Sequence, residues 1–163
     1  MVLIIGARKE IMLRVSKLAD YGTVVMAFMA REPHAIHSAA DMATRIGLTP
    51  PTVSKILKTL ARKGLVVSLR GPKGGYRLLR SPATISVAQI IGAMDGPFGM
   101  TECSAMPGLC TQESACTVRA NWQTINQIVL DALSRVTLDQ MMKPIPQSVP
   151  LGAIRRKPAG AIA

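Results

Sequence analysis

The chain has 163 residues, with 20 Lys and Arg against 9 Asp and Glu and a formal net charge of +11 at pH 7. That length suits one domain with an accessory element, and three cysteines, an odd number, argue against a disulfide framework of the secreted kind. No apolar run approaches the ~20 residues of a membrane helix, and run 2–5 is too short for a signal-peptide core, so a cytoplasmic protein is expected.

Charge is segregated along the chain. Residues 1–80 carry a net +10, residues 81–142 a net −3, and the segment from 143 onward +4. A basic half beside an acidic remainder points to a polyanion-binding module joined to something else. Residues 1–11 read as an N-terminal extension, with Met12 an alternative start. Over 16–29, Leu18, Tyr21, Val25, Phe28 and Met29 recur at helical spacing, and Pro33 ends that helix. His34 and His37 fall in the turn that follows and read as surface residues.

The segment SAADMATRIGLTPPTVSKILKTLARKGLV is the first with a specific meaning. Ser38 is placed to cap a helix running to Ile46, with Asp41 favourable for the helix dipole. Gly47 supplies a tight turn. Thr49 is expected to cap a second helix that tolerates Pro50 and Pro51 in its first turn, with Val53, Ile56, Leu57 and Leu60 as its buried stripe. Small Ala43, Gly47, Val53 and Ile56 have the spacing of a helix-turn-helix. The opposite face carries Thr52, Ser54, Lys55, Lys58, Thr59 and Arg62, groups suited to base edges and phosphates.

Next, VVSLRGPKGGYRLLR sets two short apolar runs, 66–69 and 76–79, around a Gly/Pro-rich turn, the pattern of a β-hairpin. Behind a recognition helix such a hairpin makes a wing, with Arg70 and Lys73 at its tip for a minor groove or phosphate. Ser86 and Gln89 form a capping box for a helix through Met94.

All three cysteines then fall within fourteen residues: Cys103, Cys110 and Cys116, spaced C-x6-C-x5-C in a Gly/Pro-rich loop. Thiols clustered outside any regular apolar pattern favour ligation of a metal or cluster. A helix over 117–142 carries Trp122, Ile125, Val129, Ala132, Leu133, Val136 and Met141 on one face, a stripe most simply read as a dimer interface. Beyond it a basic Pro/Ala/Gly-rich tail, 143–163, reads as disordered. The expected organisation is therefore a DNA-binding domain over 12–95, a cysteine loop over 96–116 and a dimerisation helix over 117–142. The fold class is mainly α with a small β-hairpin wing. No Ser/His/Asp set, paired acidic site or nucleotide motif is present, so an enzyme is not expected.

Taken together, LRVSKLADYG, GLTPPTVSKILKTLARKGLVVSLRGPKGGYRL and the late cysteine triplet resemble the IscR-type (Rrf family) bacterial winged-helix transcription regulators over roughly residues 13–142. Within that group the chain is most similar to regulators of the SUF iron–sulfur assembly system. The resemblance implies a homodimeric repressor or activator, with repression the expected mode, that binds a double-stranded DNA operator, responds to a 2Fe–2S or 4Fe–4S iron–sulfur cluster and controls genes for cluster assembly or iron supply. By position, it implies DNA contacts from Thr49, Pro51, Thr52, Ser54, Lys55 and Arg70. Where Ser54 stands, IscR has a glutamate involved in distinguishing DNA sites, so the operator of this chain is left open. IscR-like members place a histidine ligand three residues after the last cysteine; here that residue is Arg119, which cannot ligate. NsrR-like members instead use an aspartate early in the first helix, reaching in from the partner subunit, and the matching residue is Asp20. Two alternatives to the cluster stand beside it: a structural zinc site, and a thiol switch that works without metal.

Overall fold

The computed structural model describes residues 15–143. The expected extension over 1–11, and the expected tail beyond Lys143, lie outside them.

Helix α1 runs Lys17–Ala30, and its N-cap Ser16 accepts the Ala19 N–H at 3.0 Å. Helix α2, Ala39–Ile46, is capped by Ser38, whose hydroxyl accepts the Asp41 N–H. Gly47 ends it at φ +69°, a left-handed turn that a side chain would strain. Helix α3, Pro50–Arg62, follows within three residues. Thr49 holds the N-cap position but makes no capping bond. Pro50 and Pro51 have no N–H to offer, and the Thr49 hydroxyl is engaged instead with that of Thr52 at 2.8 Å.

Strands β1 (Val66–Leu69) and β2 (Gly75–Leu78) pair antiparallel in the register Val66↔Leu78 to Leu69↔Gly75. A third segment completes the wing: His37 and Tyr76 exchange both backbone hydrogen bonds, at 2.8 and 2.9 Å. A Cβ on Gly75 would stand 2.5 Å from the His37 carbonyl, so this close approach requires glycine. His37 is thus half-buried, its ring edge-on to Phe28 at 5.5 Å, rather than a plain surface turn residue. A short 3-10 turn, Pro82–Thr84, leads to α4, Val87–Asp95, with the expected Ser86–Gln89 capping box in place. The sulfur-bearing segment contains one short helix, α5, Glu102–Ala105.

The single helix expected over 117–142 is two: α6, Arg119–Arg135, and α7, Leu138–Met142. Between them the chain pairs with the entry to α4. The Val87 N–H donates to the Val136 carbonyl at 2.9 Å, and the Leu138 N–H to the Ile85 carbonyl at 2.8 Å. Thr137 then restarts the helix with its own capping box to Gln140.

The core is built from Val25, Met26 and Met29 of α1, the α3 stripe, Ile85, Ile90 and Leu138. The α3 stripe of Val53, Ile56, Leu57 and Leu60 is fully buried, as expected. Leu138, also fully buried, makes α7 part of this core, although it lies past the loop. Leu138→Ala is expected to lower stability by about 2–5 kcal/mol, read as a fall in melting temperature by circular dichroism.

Candidate nucleic-acid interface and sulfur loop

Docking the apolar stripe of α3 inward turns its other side to solvent. Pro51, Lys55, Lys58 and Arg62 are exposed, while Thr52 and Ser54 are half-buried. An open groove of about 770 Å³ runs between this face and the wing, lined by Pro51, Ser54, Lys55, Lys58, Arg62, Ser68 and Tyr76. Three cations and no carboxylate border it, which suits a polyanion. Arg62 is steadied by a bond from its guanidinium to the Thr59 hydroxyl, at 3.2 Å. Thr49 is exposed at the head of α3, and Arg70 and Lys73 are exposed at the wing tip.

Ser68 and Tyr76 were not among the residues expected to form this face. They are cross-strand partners in the hairpin register, so strand alternation, which puts opposed residues on one side of a ribbon, carried the signal. The buried small residue Ala43 permits close crossing of α2 and α3.

The loop is anchored from α6. Asn126, 7% exposed and buried, accepts the Met100 N–H through Oδ1 at 3.1 Å and donates from Nδ2 to the Phe98 carbonyl at 3.4 Å. Cys103 lies buried in α5, its Sγ 3.3 Å from the Thr101 hydroxyl. Cys110 and Cys116 are half-buried. Cys116 stands a turn ahead of α6 rather than at its first residue, and its carbonyl accepts the Arg119 N–H. Asp20 is exposed in the first turn of α1. Among the described residues no three His, Cys, Asp or Glu side chains gather closely enough to hold a metal ion. Within the one chain, Cys103, Cys110 and Cys116 do not gather at a single point, and Asp20 was expected to serve a partner's cysteines rather than its own. As a donor set the three thiols fit an iron–sulfur cluster or another thiophilic metal; their arrangement has to change before all three can ligate at once.

Arg119, at the position where a histidine ligand was sought, pairs its guanidinium with the Glu113 carboxylate. Neither Asn126 nor Glu113 was expected to matter. Asn126 had a weak signal, a polar residue amid the apolar residues of α6, and Glu113 is the one carboxylate between Cys110 and Cys116.

Two helices joined by a glycine turn, a basic outer face on the second and a three-segment wing define a winged helix-turn-helix protein. The family profile described as "Iron-dependent Transcriptional regulator", Rrf2, matches residues 15–144, and the chain belongs to that family. The HTH-type transcriptional regulator IscR of Vibrio vulnificus is 33% identical over 103 residues, 63% of this chain and 61% of that protein. IscR of Pectobacterium carotovorum is 32% identical over 103 residues, 63% of this chain and 62% of its own length. The matched stretch thus spans about six-tenths of those relatives. Among solved structures, CymR, the global cysteine regulator of B. subtilis, superposes with a TM-score of 0.62 at 29% identity, covering 80% of this chain and 96% of that one. T. potens IscR superposes at 0.59 with 28% identity, over 80% and 86%.

Asn126→Ala leaves the Met100 N–H and the Phe98 carbonyl without their partner. A loss of about 1–3 kcal/mol is expected, and hydrogen exchange at Met100 should quicken while that of the α3 amides holds.

Proposed function

We propose that this chain is a DNA-binding transcriptional regulator, not an enzyme, that acts in the cytoplasm as a homodimeric repressor on a double-stranded operator. The observation that carries the reading is the groove of Lys55, Lys58 and Arg62 beside the wing, bordered by no carboxylate. Residues Thr49, Pro51, Thr52, Ser54 and Lys55 lie toward the start of α3, the part of a recognition helix that meets base edges in a major groove. Lys58 and Arg62 follow along the helix for phosphate, and Arg70 and Lys73 extend from the wing to the flanking backbone or minor groove. No helix among the described residues is long and apolar enough to cross a membrane, in keeping with this reading.

Pairing of two copies is supported by α6. Val118, Trp122, Ile125 and Ile128 are exposed, Ile128 at 63%, and such a patch of large apolar residues favours an interface. A two-fold pair would present two recognition helices to half-sites about one DNA turn, ~34–36 Å, apart.

Cys103, Cys110 and Cys116 are the donors that would hold an iron–sulfur cluster, 2Fe–2S or 4Fe–4S, with Asp20 the proposed fourth ligand. Such a group, when bound, supplies sensitivity to iron and oxidants. The described family and the IscR relatives support this reading, and cluster-assembly genes are the fitting targets. A thiol switch without metal is the second reading, favoured by the likeness to a cysteine regulator.

Selection from a random duplex pool, followed by anisotropy titration across salt concentrations, tests the DNA reading. Lys58→Ala and Arg70→Ala should each weaken binding at least several-fold and reduce the salt slope by about one. A chain that selects no duplex overturns it. Anaerobic purification separates the sensor readings: a brown protein that loses its colour in Cys110→Ala supports the cluster. A colourless protein holding stoichiometric zinc sinks it.

A further inference from the structure

One carboxylate closes the sulfur loop. Glu113, with a side chain only 14% exposed, pairs through Oε1 with the Arg119 guanidinium. Through Oε2 it accepts the Gly108 N–H at 2.6 Å. Gly108 lies between Cys103 and Cys110, and Arg119 three residues past Cys116. A single side chain therefore joins the segments on either side of the last two thiols. Backbone turns from the Glu113 N–H to the Cys110 carbonyl (3.2 Å) and from the Arg119 N–H to the Cys116 carbonyl (3.5 Å) keep both residues in step with the sulfurs.

Helix electrostatics explains why the pair forms. α6 opens on Arg119, with no acidic residue in its first turn and no side-chain cap at Val118. A cation at that end meets the positive pole of the peptide dipoles. Glu113 brings from the loop the negative charge that this helix end lacks.

With the pair formed, the three sulfurs do not gather closely enough to hold one metal ion. A ligand that requires them together binds a different arrangement of the loop. By linkage, every contact that stabilises the present arrangement weakens that ligand. We infer that Glu113 and Arg119 are positioning residues that clasp the metal-free loop and set the threshold at which its thiols take up a thiophilic metal. Arg119 acts by opposing ligation. Its Nε–H, buried without an acceptor, costs the clasped state free energy and so keeps it open to exchange. The inference rests on the reading of these thiols as metal donors.

The test is anaerobic titration of the full chain with Co²⁺, followed by the thiolate-to-cobalt absorption. It is run beside iodoacetamide alkylation of Cys110 and Cys116, followed by mass spectrometry without metal. Glu113→Gln and Arg119→Gln should each bind Co²⁺ roughly threefold to tenfold more tightly than the parent chain. Both should also alkylate faster than the parent chain. Circular dichroism checks folding, and if Glu113→Gln does not fold, Arg119→Gln decides. Unchanged or weaker Co²⁺ binding by the single variants overturns the clasp. If no chain shows a cobalt band, the metal reading falls and the alkylation pattern alone decides the clasp.

Discussion

The burial of one stripe on α3 controls how the molecule presents itself. Val53, Ile56, Leu57 and Leu60 are fully buried among Met26 and Met29 of α1 and Ile90 of α4. That contact fixes the roll of the helix about its axis, and the roll decides what solvent sees. Turning α3 by a third of a revolution would push Lys55 or Lys58 into an aliphatic core, where an unpaired charge is far too costly to stay ionised. Met26 and Met29, whose flexible thioethers adapt to neighbouring shapes, are fully buried in the same core. A basic outer face is thus the other side of an apolar fit.

Much of this was legible in sequence because the signals are local. Ser38 and the Ser86–Gln89 pair cap the helices where their side chains suggest, and Gly47 makes its turn by adopting a conformation that few residues share. The hairpin follows from two apolar runs around glycines, although its second strand is Gly75–Leu78, one residue earlier than the run 76–79. The failures arose where a distant partner outweighed local pattern. An apolar period continued across residue 136, yet Val136 and Leu138 found backbone partners at Val87 and Ile85, and the helix broke there. The Thr137–Gln140 capping box was the overlooked clue. His37 read as a turn residue because its bridge to Tyr76 spans 39 positions in sequence.

The sulfur loop was legible in composition and opaque in arrangement. Spacing alone shows that three thiols share a segment, and nothing in spacing says whether they converge. Their places depend on Asn126 reaching the loop's entry from α6 and on Glu113 reaching Gly108 and Arg119. Those are side-chain contacts between residues with no periodic signature. Arg119 illustrates the limit well: its chemistry rules out ligation, but only the fold reveals its carboxylate partner.

Leu138 has a consequence for how the molecule comes into being. Its side chain is a full member of the core that seats α3, yet it lies beyond the sulfur loop in the chain. During synthesis, residues 15–95 leave the ribosome without this piece of their own interior. The core closes only after the cysteine segment and α6 have also emerged. The helix-turn-helix core and the sulfur loop are therefore not two modules that mature separately, since the core is completed by a residue that follows the loop in the chain.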